Sequence, residues 1–301
     1  MLRDRIFRVA WEETGRRLDR VLRDRFPGLP ARSVRFAFDA GAIRVGGIPA
    51  PKGRTLREGE VVSADALAEK EDWLPVPCDL PGASVAYEDA EVAVLCKPAD
   101  VHTEPQRPNE SGTLAGFLLR RFPGVTGISP EPGLTLLTRL DYATSGSVPA
   151  ALTSSSLDFL RHEREMGRIV KGYLCMVRGE VAAPMSIPWE IRAEGGEAVR
   201  VLRGRDDPDP HRWTAIAPIR SGNGLTLLRA TISRGKRHQI RAHLAAAGYP
   251  IVGDRRYSAV PASGPGKSRL MLHAAEVSFR HPATGETLRV SCPAPDEFGV
   301  T

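Results

Sequence analysis

Residues 139–146, Arg139-Leu140-Asp141-Tyr142-Ala143-Thr144-Ser145-Gly146, set one acid beside an arginine in a run of small and hydroxyl residues. The apolar run Leu134–Leu137 before it reads as a strand that ends by presenting a carboxylate. Nearly a hundred residues later comes a second cluster, Arg234-Gly235-Lys236-Arg237-His238-Gln239-Ile240-Arg241-Ala242-His243-Leu244, which can supply the cations such an acid needs. By itself Asp141 is a strand-end carboxylate. With those cations it points to chemistry on an anionic polymer.

The elements that must position these groups fall into two parts. The chain has 301 residues, 42% of them hydrophobic, enough for one large domain and a small one. Its formal charge of +6 is concentrated: residues 1–62 hold 14 Lys/Arg against 8 Asp/Glu, and the remainder is balanced at 28 against 28. A basic module on a neutral body suggests a phosphate-backbone anchor, because cationic side chains displace condensed counterions from nucleic acid. The plainer reading is a solvated arginine-rich helix.

In the first part, Leu18, Val21, Leu22 and Phe26 recur at helical spacing with arginines on the other faces. A second helix is expected from Ser33 to a left-handed cap at Gly41, followed by short strands turning at Gly46-Gly47. This predicts a small basic domain over 1–66. A proline-rich linker over 67–83 should follow, with Pro75, Pro77 and Pro81 excluding regular structure. The second domain, 84–301, is expected to be dominated by sheet. Val92–Cys96 and Tyr173–Val177 read as buried strands, and Pro149 places the strand over 147–152 at an edge or bulge. The run Ser154-Ser155-Ser156 should cap a helix over 157–166, and 192–212, rich in charge, reads as a mobile inserted loop. The fold class is therefore α+β, with a mixed, mostly antiparallel sheet.

Cys78, Cys96, Cys175 and Cys292 show no paired spacing and read as reduced thiols in a cytoplasmic protein. No signal peptide or apolar run of membrane length is evident, so no membrane partner is expected. His238 and His243 lie five apart, off the spacing of a helical zinc pair, so no metal is expected.

Two resemblances sharpen this reading. Arg17-Leu18-Asp19, Ser33, Ala40-Gly41, Val45-Gly46-Gly47 and Gly59-Glu60-Val61 resemble the small RNA-binding domain named after ribosomal small-subunit protein four; Gly46 stands where that family usually has Asn. The resemblance implies that Arg32 and Arg35 contact RNA backbone. The body resembles the RluA-like pseudouridine synthases. The matching segments are Glu88-Asp89 with Lys97-Pro98, Arg139-Leu140-Asp141 with Thr144-Ser145-Gly146, Lys171-Gly172-Tyr173-Leu174, Arg237–Leu244, Gly248–Asp254 with Tyr257, and Leu272-His273-Ala274. Thr138 departs from the family, which often has His there.

This second resemblance implies an isomerase that breaks the glycosidic bond of a uridine in RNA and rejoins the base through carbon. Asp141 matches the essential aspartate, whose carboxylate can attack the uracil ring or the anomeric carbon, or help expel the base. Arg241 matches the arginine that pairs with it, and Tyr173 an active-site tyrosine able to stack on uracil or accept a proton. Arg139 matches the residue that enters the RNA stack as the base leaves. Lys236, Arg237 and His238 are expected to hold phosphates, and His273 to be structural. No cofactor is expected of an isomerisation that neither oxidises nor consumes a high-energy donor. Ribosomal RNA is the favoured partner, transfer RNA the alternative, and a monomer the expected state. The competing reading is a non-catalytic RNA-binding or ribosome-assembly factor on the same fold.

Overall fold

The computed structural model describes residues 3–193, 198–258 and 269–299. The chain divides into two compact units: Met1–Val76 with Pro105–Ser111, and Pro77–Glu104 with Gly112–Thr301.

The first unit comprises β1 (Arg3–Arg8), α1 (Leu18–Arg25), α2 (Ala31–Asp39), β2 (Ile43–Val45), β3 (Ile48–Pro49) and β4 (Val61–Leu67). The strands form an antiparallel sheet in the order β1-β4-β2-β3. Leu18, Val21 and Leu22 of α1 and Val34 and Ala37 of α2 bury their faces against Ile43, Val45, Val62 and Ala64. Gly46 and Gly47, both at positive φ, turn β2 into β3. Ser33 does not open α2. The helix starts at Ala31, and the buried Ser33 hydroxyl accepts a hydrogen bond from Trp73 Nε1 at 2.8 Å. That bond also corrects the linker. Residues 67–76 belong to the first unit, with Leu67, Ala68, Trp73 and Pro75 buried.

The second unit contains β5 (Ser84–Glu88), β6 (Val92–Lys97), α3 (Leu114–Arg121), β7 (Ser145–Ala151), α4 (Ser154–Glu165), β8 (Val170–Arg178) and β9 (Met185–Ile187). It continues with β10 (Trp189–Ala193), β11 (Val199–Asp206), β12 (Thr214–Gly222), β13 (Leu225–Ile232), α5 (Gln239–Ala246), β14 (Leu272–Arg280) and β15 (Thr287–Ser291). Among the described residues the main sheet runs β5-β6-β7-β14-β8-β13-β12-β9, with β15 also on β14. Every pairing is antiparallel except β7 with β14, where His273 and Ala274 meet Ser145 and Gly146. This α+β architecture with a mostly antiparallel sheet is the expected fold class. No described helix is long and apolar enough to cross a membrane.

The junction of β7 and β14 lies four residues beyond Asp141 and explains Gly146. Its φ is +118°, and a Cβ there would sit 2.2 Å from the Ala274 carbonyl oxygen, so two backbones meet where no side chain fits.

Several local expectations are revised. Leu134–Leu137 is not a strand but a turn, with Leu134 at positive φ and a single bridge from Leu136 to Ala150. Its apolar side chains fill core space without a ladder. Strand β7 is interior, not an edge, despite Pro149. The Pro149 carbonyl accepts from the Leu137 N–H at 2.8 Å, and N and O of one strand residue face the same edge, so the missing N–H costs β6 nothing. Helix α4 starts at Ser154, and Thr153 caps it by accepting from the Ser156 N–H at 3.1 Å. The segment 192–212 is no mobile loop in its described part: β10 and β11 pair as a ribbon, with Ile191 and Val199 buried against Ala242. Residues 194–197 lie outside the described residues. Cys96 and Cys292 are not reduced thiols. They form a disulfide with Cα atoms 5.8 Å apart, whereas Cys78 and Cys175 are free. Thiol state therefore gives no argument for the compartment.

Candidate active site

Asp141 sits in the irregular segment between Leu137 and β7, and its backbone is fastened on both sides. The Thr103 hydroxyl donates to the Leu140 carbonyl at 2.9 Å and accepts from the Leu140 N–H at 3.1 Å. The Tyr142 carbonyl accepts from the Val101 N–H at 3.2 Å and from Lys97 Nζ at 3.1 Å. Lys97 ends β6 almost fully buried and also donates to the carbonyls of Pro98 at 2.9 Å and Val101 at 2.7 Å. Burial pushes its ammonium down to about 7, with Asp100 and Asp141 opposing the shift. Three carbonyl acceptors match the three N–H donors of the charged form and favour it too. Nothing in the local sequence marks Thr103 or Lys97 as doing this beyond a lone charge closing an apolar strand.

Helix α5 supplies the counter-charge. Arg241 donates from Nη1 to Asp141 Oδ2 at 2.9 Å, and from Nε and Nη2 to Asp254 Oδ2 and Oδ1 at 2.8 and 2.9 Å. The Asp254 side chain is fully buried and also accepts the N–H groups of Arg256 and Tyr257. Burial alone would raise its carboxyl; the Arg241 fork and the two amides more than offset that and hold it low. Burial likewise opposes the guanidinium charge, and Asp254 and Asp141 together outweigh it, so Arg241 stays charged. The side chain of Asp141 remains about a quarter exposed, the open end of this chain of charges. Asp254 was visible in the sequence only as part of the segment Gly248–Asp254, with no sign that it anchors the arginine.

Tyr173 lies in β8, nearly buried. Burial raises its phenol, with the negative charge of Asp141 and Cys175 adding to the effect. A hydroxyl held protonated can donate a hydrogen bond. Two residues before it, Lys171 donates to the Ser233 carbonyl at 2.5 Å and fixes the loop that leads into α5; burial brings its ammonium to about 8.

The remaining basic residues are placed as follows. Arg139 is two-thirds exposed and ion-paired with Glu104 at 2.9 Å. Lys236 is tied to Asp207 at 2.7 Å and to the Ile191 carbonyl at 3.3 Å, which makes it a strut between α5 and the β10–β11 ribbon rather than a free cation. Arg237 is exposed. His238 caps α5 with Nε2 3.8 Å from Asp141 Oδ1. His243 is buried between Thr214 and the Trp189 carbonyl. His273 bonds Ser145 at 2.8 Å and the Cys292 carbonyl at 3.2 Å, a satisfied structural histidine. In the first unit, Arg32 lies 4.4 Å above the Trp73 ring, and Arg35 is three-quarters exposed beside Asp39.

The family model for RNA pseudouridylate synthase matches residues 91–246, a span that contains Asp141, Tyr173 and Arg241. The chain belongs to the RNA pseudouridylate synthase family. As an RluA-like RNA pseudouridine synthase it catalyses the isomerisation of uridine to pseudouridine. Ribosomal large subunit pseudouridine synthase D of Xanthomonas campestris pv. campestris is 30% identical, over 94% of this chain and 87% of its own. Ribosomal large subunit pseudouridine synthase C of Escherichia coli O157:H7 is 30% identical, over 97% and 93%. Human RNA pseudouridylate synthase domain containing 1 shares the fold at a TM-score of 0.57 and 24% identity, covering 73% of this synthase and 86% of that chain. Human RNA pseudouridylate synthase domain containing 4 does so at 0.53 and 22%, covering 72% and 90%. The reading as a non-catalytic factor is set aside by this membership together with the intact Asp141–Arg241 contact.

Proposed function

We propose that this synthase modifies specific uridines of ribosomal RNA, that Asp141 is the carboxylate driving the isomerisation, and that the first unit is an RNA anchor. One observation carries the catalytic part: Arg241, fixed bidentately by buried Asp254, presents its remaining N–H edge to Asp141 at 2.9 Å. The guanidinium, which does not deprotonate, holds the Asp141 carboxylate in a fixed orientation. In the reaction the bond from C1′ to N1 breaks, a bond from C1′ to C5 forms, the C5 hydrogen leaves as a proton and N1 takes one up. Tyr173 stacks on the extruded uracil, and Arg139 leaves Glu104 to occupy the gap in the RNA stack.

Support for ribosomal RNA comes from the relatives, both named for the large ribosomal subunit and both alike across nearly the whole chain. The anchor role rests on the excess charge of residues 1–62 and on exposed Arg35 beside Arg32 on α2. Pseudouridine mapping of large-subunit RNA tests both parts, using cells with the gene, without it, and with the gene encoding Asp141→Asn. One or more uridines should go unmodified in the second and third strains. An unchanged map in the strain without the gene rejects the RNA class, and full modification by Asp141→Asn rejects the residue.

A further inference from the structure

Helix α5 aims two side chains at Asp141. His238 and Arg241 are three residues apart, hence on one face of the helix start, and they address different oxygens of the carboxylate: Nε2 faces Oδ1 at 3.8 Å while Nη1 binds Oδ2 at 2.9 Å. The far side of the imidazole is also engaged, since Nδ1 lies 2.9 Å from the Tyr257 hydroxyl. That hydroxyl already accepts the Val199 N–H at 2.9 Å. A backbone N–H can only donate, so the phenolic hydrogen is not spent on Val199 and can be donated to Nδ1. With Nδ1 accepting, the ring is neutral and carries its hydrogen on Nε2, the nitrogen that faces Asp141.

His238 stands at φ +56°, a left-handed conformation that costs a non-glycine residue about 1 kcal/mol or more and that turns the ring back over the helix start. Its side chain is only 13% exposed. Burial lowers the imidazole below its ordinary range; Asp141 pulls the other way, and Arg241, Arg237 and Arg256 reinforce the lowering. A buried neutral ring is an ill-suited phosphate ligand, the role its sequence context suggests.

We propose that His238 is a positioning residue for Asp141, a neutral Nε2–H donor whose tautomer is fixed by the Val199–Tyr257 relay and which orients the second carboxylate oxygen during the reaction. The 3.8 Å gap exceeds a hydrogen bond and closes by rotation of the carboxylate when RNA excludes water, as resting catalytic contacts commonly tighten on binding. This rests on the catalytic reading of Asp141, and an active Asp141→Asn enzyme would defeat that reading whatever His238 does.

The test compares His238→Gln and His238→Asn in the full chain. Gln carries an N–H at the reach of Nε2. Asn is too short to present one, yet it tolerates the left-handed backbone better. Single-turnover release of tritium from C5-labelled uridine RNA, RNA affinity by filter binding, and melting temperature are measured for both. His238→Asn should lose about 10- to 100-fold in rate, the scale of a mispositioned catalytic group, with affinity within about twofold, while His238→Gln recovers to within about fivefold of wild type. Rates that rank with melting temperature, Asn above Gln, would overturn the proposal in favour of a backbone role. Weakened RNA affinity at an unchanged rate would overturn it in favour of a phosphate contact, and wild-type rates in both variants would overturn it outright.

Discussion

Arg241 combines two tasks that a lysine cannot. Its planar fork binds Asp254 through Nε and Nη2 and leaves Nη1 for Asp141, whereas an ammonium is a point donor with no second edge. Arg241→Lys should therefore cost about 100-fold or more in single-turnover rate and about 1–3 kcal/mol in urea unfolding, although it conserves charge. A variant with wild-type rate would show that the bridge is not used. The contact between Asp141 and Arg241 was legible through the family resemblance, which matches both residues. Asp254, Lys97 and Thr103 were not. Their contributions depend on which backbone groups and which guanidinium edge they meet across the fold, and residue type alone carries no such information. Tyr173 stands in a segment that matches the family, but the elevation of its phenol comes from burial and from Asp141, and its sequence neighbours say nothing of either.

Elements fix where those residues stand. The turn between β5 and β6 is built on Asp89, whose carboxylate accepts from the N–H groups of Glu91 and Val92 at 2.8 Å, from the Tyr87 hydroxyl at 2.6 Å and bonds His281 beyond β14 at 2.8 Å. Burial would raise this acid, but those bonds outweigh it and bring it down to about 2. A depressed carboxylate adds stability that is full above its unfolded value and disappears as pH falls through the folded one. Asp89→Asn should thus destabilise by about 1–2 kcal/mol at pH 7 in urea unfolding, with the difference shrinking below about pH 4 and nearly gone by about pH 2. A deficit independent of pH would contradict the electrostatic account. Helix α1 was legible from periodic apolar positions, α2 from its run into a glycine cap, and α4 from the serine run that begins it. The β10–β11 ribbon was not, because a two-stranded ribbon with one face in water carries the charges of a loop. Nor was the turn at 134–137, where apolar side chains are buried without strand pairing.

At the scale of the whole molecule, the sheet order joins parts that the sequence keeps far apart. Cys96 at the end of β6 and Cys292 after β15 are 196 residues distant and disulfide-bonded, a pairing that spacing could not reveal. Cross-linking so long a loop restricts the unfolded chain, so Cys96→Ser with Cys292→Ser should lower stability by about 2–4 kcal/mol relative to the oxidised protein, and dithiothreitol should lower the wild type alone. Equal melting curves with and without reductant would argue against the bond. The division into two units was legible from charge and proline content, but the return of Pro105–Ser111 to the first unit was not, since it depends on tertiary contacts. What the intact molecule accomplishes is an isomerisation, and the most direct test is tritium release from C5-labelled uridine RNA by wild type and by Asp141→Asn. The wild type should release label without cutting the RNA chain, and Asp141→Asn should fall by about 10³-fold or more while still binding RNA. Release by Asp141→Asn at the wild-type rate would contradict the account.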